Sequence, residues 1–349
     1  MENNMIEPFK LTLRFLTPAF LGNAEQGAEF RTPPIKAQLR HFWRMVQASR
    51  GLTKVDELRR LENDLFGSAA GESGAKSIVR LRLSSWEPGK LANWGKLAVR
   101  QISVGKNSVA AALYLGFGPL ENRKPGGVAI KRPPAIDAGT HSVLQLAVVP
   151  NRGASAASSE HRRDIEEALG LMHRFGTLGG RSRNGWGSYS LEGLDLTPIG
   201  EQHLIDWCDA LQHDWPCGLG KDESGGLLWQ SRDAYASWEE AIVQLAQTRA
   251  EANRSGGERS LLSYPVTKQS RPGWNDQDRL PSSLRFKVVR DRGGGFRAQI
   301  AHFPCRPTDE LCGRGRVGRE ALIETWRKVH VQLDGSRQLA RVEIKGWAP

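Results

Sequence analysis

Cysteine is scarce in this chain, with four in 349 residues, which excludes a disulfide-stapled scaffold and fits a reducing compartment. Long apolar runs are missing too. The stretch Val143–Val149 is short and interrupted by Gln145, far below the roughly 20 apolar residues that span a bilayer, so no membrane partner is expected. The N-terminal Met1–Pro8 is polar and acidic and lacks the basic start and apolar centre of a signal peptide. A cytoplasmic protein is the expectation. Catalytic signatures are absent as well: there is no HExxH and no GxSxG, and Gly95-Lys96 runs into Leu97 without the upstream glycine of a Walker A loop. Cys208, His213 and Cys217, or His302, Cys305 and Cys312, lack the paired CxxC spacing of a zinc site. Neither a metal nor a cofactor is expected.

Acidic residues are in short supply. Against 49 Lys and Arg stand 38 Asp and Glu, a formal net charge of +11 with a pI near 9.7. Such a surplus favours a polyanionic partner, because basic side chains release counterions from phosphates when they bind. The rest of the composition, 39% hydrophobic and 25% charged, is ordinary for a globular protein and can build a core. The length suggests about two domains.

Phe9 to Phe15 alternates apolar and polar, the period of a half-buried strand. Thr32-Pro33-Pro34 reads as a helix start, Thr32 as N-cap and Pro33 at the first helical position. Ile35, Leu39, Phe42, Trp43 and Val46 then share one helical face. A second helical stretch ends at Phe66-Gly67. Strands are expected over 77–83, 97–104, 111–117 and 142–149, a flexible connector over 152–159, a helix over 160–175 and a strand over 188–194. Strand, helix, strands, helix, strand is the split βαβ order, and two helices on one face of such a sheet leave its other face available to a partner. In the second half, helices over 234–253 and 319–333 and strands over 261–266, 284–289, 296–303 and 340–344 permit another such unit. The expected fold class is α+β, with two ferredoxin-like (RRM-like, βαββαβ) domains carrying helical and loop insertions. Residues 1–197 form the first, with a glycine-rich loop, and residues 198–349 the second, with a helical insertion.

Two constellations carry the chemistry. Lys36, Arg40 and Arg44 are spaced i, i+4, i+8 and form one stripe, roughly 12 Å long at helical rise, suited to successive phosphates. Arg31 and the free N–H groups of the helix start add an anion site, and His41 and Trp43 offer aromatic surface nearby. The other reading of this stripe is a solvated helix face above a buried Trp43. The second constellation runs from Phe175 to Ser188, with five glycines that allow left-handed turns and close backbone approach. Here Arg181 and Arg183 supply charge, while Ser182, Asn184 and backbone N–H groups can hold phosphate or sugar.

With Leu16–Gly22, these motifs resemble the RAMP superfamily of CRISPR proteins, and Ile35–Arg44 is most similar to subunit one of the type III-B Cmr effector complex. Leu280–Phe286, followed by a turn at Gly293, is similar to the second half of that subunit. Family members often carry Gly, Gly and Arg where this chain has Ala37, Thr177 and Asn184. The resemblance implies two ferredoxin-like domains, with the glycine-rich loop after the second helix of the first. It also implies a non-catalytic place in antiviral defence, at the end of the complex that holds the guide's 3′ portion. The implied partners are the CRISPR guide RNA, the target RNA and the other Cmr effector subunits; cleavage of target falls to the repeated backbone subunit. The residues expected to bind RNA are Arg31, Lys36, Arg40, His41, Arg44, Gly179, Gly180, Arg181, Ser182, Arg183, Asn184 and Trp186, and none is expected to be catalytic. The alternative is a metal-independent ribonuclease that processes guide RNA, with His41 or His173 as general base.

Weaker signals remain. Gly313–Gly318 matches GxGxxG but lacks a buried strand before it, so a basic loop is expected there. Arg123, Lys124, Lys131 and Arg132 decorate the 116–134 loop, and Arg271, Trp274 and Arg279 form another group; each is either an RNA or subunit contact or a solvated cluster.

Overall fold

The computed structural model describes residues 8–344, apart from 26, 70–73, 94–99, 124–126, 133, 150–158, 194, 196–197 and 267–268. The expected connector up to residue 158, Lys124 and the boundary residue Thr197 lie outside the described residues. The chain opens with β1 (Phe9–Phe15), α1 (Thr32–Ser49), α2 (Val55–Phe66) and β2 (Val79–Leu83). An insertion follows: a hairpin of β3 (Gln101–Val104) and β4 (Asn107–Ala110), then α3 (Ala111–Gly116), then a hairpin of β5 (Leu120–Arg123) and β6 (Gly127–Ile130). With β7 (His141–Val148), α4 (Ser159–Phe175) and β8 (Tyr189–Glu192), the first sheet is complete, antiparallel throughout in the order β2-β7-β1-β8.

Next come β9 (Leu204–Asp206), α5 (Trp207–Ala210), β10 (Leu219–Asp222) and β11 (Gly225–Gly226), whose strands form a small three-stranded sheet. The remainder is β12 (Leu228–Ser231), α6 (Trp238–Ser255), β13 (Leu284–Arg290), β14 (Phe296–His302), α7 (Asp309–Gly315), α8 (Arg319–Asp334) and β15 (Leu339–Arg341). Its sheet runs β13-β14-β12-β15. Both four-stranded sheets therefore share one order, in which the third strand lies between the second and the first and the fourth takes the far edge. The architecture is mixed α+β with several antiparallel sheets.

Alternation decides which faces are buried. In β1, Leu11, Leu13 and Phe15 point inward with Leu144 and Leu146 of β7, under α1 and α4. The other face of this sheet keeps Lys10, Arg80 and Arg82 exposed. In β13 both sets of side chains are covered. Leu284, Phe286 and Val288 enter the core of the second half, whereas Arg285 and Lys287 face the first half. The second sheet thus has no open face along β13. Lys287 donates to the carbonyls of His173 and Gly176 at 2.6 and 2.8 Å, satisfying acceptors at the end of α4.

Several local expectations need correction. Residues 111–116 of the expected strand 111–117 form helix α3: Ala111, Ala112, Leu113 and Leu115 are strong helix formers, and α3 packs on α6. The expected strand over 261–266 begins inside a 3₁₀ turn (Arg259–Leu261) and contributes only isolated bridges at Tyr264 and Val266. Arg31, not Thr32, occupies the N-cap of α1, with no side-chain cap and a proline in the first turn. The expected basic loop at Gly313 is the end of α7. It closes on Arg316 in a left-handed conformation, and Arg314 pairs with Asp278 at 2.6 Å.

Candidate nucleic-acid interface

The stripe on α1 forms as spaced, yet it is packed against α2. Glu62, nearly buried, accepts from Arg40 Nε at 2.6 Å and from Arg44 Nη1 at 3.2 Å. Lys36 Nζ donates to the Phe66 carbonyl at 3.0 Å, and burial pulls its pKa down. Arg31 turns back to the Gly22 carbonyl at 2.5 Å. Trp43 is buried in the core against Phe66, so it offers no stacking surface.

The glycine-rich loop is where the two halves of the chain meet. Asn184 bridges to Phe286 of β13, whose N–H donates to the Arg183 carbonyl at 3.0 Å. Glycine is required here by proximity. A Cβ at Gly179 would stand 2.7 Å from the Phe20 carbonyl oxygen, and one at Gly187 would stand 1.9 Å from that of Leu178. Gly180 donates its N–H to Phe20 O at 2.8 Å. Trp186 is fully buried between Phe20 and Trp238, packing rather than presenting a ring to a base. Asn184 is buried as well; its amide donates to Leu115 O at 2.7 Å and accepts from Arg249. Ser182 is half-buried in the turn.

What the loop exposes is charge. Arg181, held at a φ of 55°, donates to Phe117 O at 2.6 Å, and Arg183 donates to Ser282 O at 2.9 Å. Both line a cleft of about 820 Å³ between the halves. Its other charged walls are Arg249 from α6, Arg259 from the 3₁₀ turn and Arg279 from the loop before β13, and among the described residues no Asp or Glu lines it. Burial pulls the guanidiniums of Arg181, Arg183 and Arg249 below their usual range, Arg249 to about 10, so all remain charged at neutral pH. None of the five forms an ion pair among the described residues. Phe117, 62% exposed, stands at the rim beside Tyr114. An open groove of five guanidiniums without carboxylate partners among the described residues, with an aromatic edge, is suited to a phosphodiester strand.

Sequence reasoning found Arg181 and Arg183 and noted Arg279 as an undecided cluster. Arg249 and Arg259 were missed, because neither belongs to a motif in the sequence and only the packing of α6 on the loop brings them to Arg181 and Arg183. His41 and His173 lie outside the cleft lining. His41 contacts Arg285 at 2.5 Å, and burial, Arg285, Arg44 and Arg183 lower its pKa well below the usual value. His173 accepts the Leu191 N–H at 3.0 Å on Nδ1, and burial lowers its pKa to about 3. Among the described residues, no group of three or more His, Cys, Asp or Glu is placed to hold a metal ion, and no helix is long and apolar enough to cross a membrane.

Comparison with solved structures finds similarity to the crystal structure of apo Cmr1 from Pyrococcus furiosus, at 16% identity over 97% of this chain and 99% of that one, with a TM-score of 0.46. A chain in the cryo-EM structure of a type III-B Cmr-beta complex bound to cognate target RNA is similar at 12% identity, over 93% of this chain and all of that one, with a TM-score of 0.44. A chain of a type IV-B CRISPR complex is similar at 15% identity, over 60% of this chain and 100% of that one, with a TM-score of 0.32. No curated protein matches. The model of the RAMP superfamily matches residues 12–190, from β1 through the insertion and the glycine-rich loop to β8, and over that span, just over half its length, the chain belongs to the RAMP superfamily.

Proposed function

We propose that this chain is a non-catalytic, RNA-binding subunit of a type III-B CRISPR effector complex. In that place it holds the guide's 3′ end region and helps engage target RNA, beside other Cmr effector subunits. The single observation that carries the reading is the cleft between the halves, lined among the described residues by five arginines and no carboxylate. Phosphate contacts of this kind position a strand without reading its sequence, and base pairing by the guide supplies the specificity. Family membership supports the CRISPR setting, and the sequence of α1 supports the type III-B branch. The shared strand order of the two large sheets supports two ferredoxin-like domains, divided at residue 197. Within this reading Arg181 and Arg183 contact RNA directly, and Gly179, Gly180, Ser182, Asn184 and Trp186 shape the loop. On α1, Arg31, Lys36, Arg40, His41 and Arg44 are the lesser contact, since Glu62 already answers two of their charges.

The test is binding of single-stranded RNA to Arg181→Ala/Arg183→Ala, alone and in the reconstituted complex. Weaker binding at low salt with a flatter salt dependence is expected. Unchanged affinity and slope in a folded double variant would overturn the assignment. Incubation of the wild type with a repeat-containing transcript in EDTA checks the non-catalytic part; no defined product is expected.

A further inference from the structure

Alternation along β13 turns Arg285 toward the first half of the chain, where it becomes a buried cation. It is 7% exposed. Its guanidinium lies over the rings of Phe42 and Phe303, 5.7 and 5.0 Å from their centroids. Among the described residues it makes one hydrogen bond, to Nε2 of His41 at 2.5 Å, which leaves most of its N–H donors without an acceptor among them. Burial and the charge of Arg183 pull its pKa to about 9. A cation this deep is normally matched by a carboxylate. Among the described residues none bonds to it.

The space in front of Arg285 is a pocket of about 150 Å³ that Arg183, Trp215, Ser283 and Cys305 also line. It adjoins the arginine cleft, with which it shares Arg183, Arg279 and Leu280–Ser282. Burial pushes the Cys305 thiol up to about 11, so it is neutral and brings no compensating charge. Asp214 is the one carboxylate in the lining, and it forms no ion pair with either arginine among the described residues. Arg183 and Arg285, with Arg279 and Arg306 also in the lining, thus face one small space against a single carboxylate that pairs with neither of them among the described residues.

We propose that this pocket is a phosphate subsite at the inner end of the cleft, seating a terminal phosphate monoester of the bound strand between Arg183 and Arg285. The proposal rests on the RNA reading of the cleft. A monoester carries about −1.5 to −2 charge at neutral pH, which matches two guanidiniums better than the single charge of a backbone diester. Planar arginine forks grip phosphate oxygens in pairs, which a lysine cannot do. The pocket is small beside the cleft, which suits an end group rather than a strand in passage. His41 acts as a positioning residue: its ring nitrogen accepts from Arg285 and fixes the direction of the remaining donors.

Fluorescence anisotropy with one short single-stranded RNA, ended by phosphate at 5′, at 3′ or at neither, tests this. One phosphorylated form should bind about tenfold more tightly than the hydroxyl-ended strand. That preference should vanish in Arg285→Lys and Arg183→Lys, which keep the charge and lose the fork. If Arg285→Lys does not fold, Arg183→Lys, at a half-buried position, decides alone. Equal binding of all three strands by the wild type would overturn the subsite and leave the RNA reading standing. If no strand binds, the RNA reading fails, and the subsite is judged on inorganic phosphate. A Tm rise in the wild type but not in Arg183→Lys supports it, and equal or absent shifts overturn it.

Discussion

Arg259 and Arg279 give the sharpest test of the cleft, because little structure depends on them. No side-chain hydrogen bond of Arg259 is present among the described residues, and Arg279 reaches only the carbonyls of Asp276 and Asp278, at 2.6 and 2.7 Å. Each phosphate neutralised on a single strand contributes about −0.7 to the slope of log K against log salt. Five cleft arginines therefore predict a slope of roughly −3.5 for the wild type and roughly −2.1 for Arg259→Ala/Arg279→Ala. Between about 50 and 200 mM salt the wild type should lose about two orders of magnitude in affinity, and the variant a little over one. Anisotropy titrations of a single-stranded RNA at four or more salt concentrations measure both slopes, with circular dichroism to confirm an unchanged melting profile. A folded double variant with the wild-type slope would show that the strand does not run between the halves, whatever its affinity.

Other consequences are tested on stability. Gly187→Ala should lose about 3 kcal/mol or more in urea denaturation, because its Cβ meets the Leu178 carbonyl oxygen, whereas Gly105→Ala has φ of 62° with open space around it and should lose only about 1–2 kcal/mol. Equal losses would refute the close-approach argument. Glu62→Ala removes the shared acceptor of Arg40 and Arg44 and should cost about 1–3 kcal/mol, a buried-pair figure reduced for two partly exposed arginines; an unchanged midpoint would show that α1 and α2 do not depend on it. Burial holds His173 to about 3 and His330 to about 4 in the folded chain, against about 6.5 when unfolded. The unfolded chain therefore takes up more protons below about pH 6.5, and stability should fall as pH drops from there toward 4, by roughly 1.4 kcal/mol per pH unit and histidine. A flat profile between pH 6.5 and 4.5 would contradict their neutral burial.

Much of the fold was legible because its long elements carry one strong period. β1, β7, α1, α4, α6 and α8 follow from alternation or from a helical stripe, and the structure places them within a few residues of the expected bounds. Short inserted elements were not legible. In α3 six residues must choose between helix and strand, and contact with α6 decides the outcome. For the site, the glycine–arginine run was visible as a run, but its glycines turn out to serve packing as much as any ligand, and Trp186 is core. Arginines from α6 and from the 259 and 279 segments converge only in three dimensions. The stripe on α1 shows the reverse failure: its spacing was read correctly, but nothing in the spacing reveals that Glu62 comes to meet it.

The insertion between β2 and β7 has a consequence for how the chain is made. Ile102, Leu115, Leu120 and Ile130, together with Trp186, bury their side chains in the cluster built around α6, β13 and α8 rather than in the core beneath β1. During synthesis these residues emerge well before α6 exists to receive them. The leading half can close its own sheet while holding a sticky apolar flank outward, and only the trailing half covers it. Folding then ends as a clasp shuts, with the arginine cleft as the seam. A fragment ending at residue 197 should accordingly bind the dye ANS and self-associate, and co-expression with residues 198–349 should relieve both.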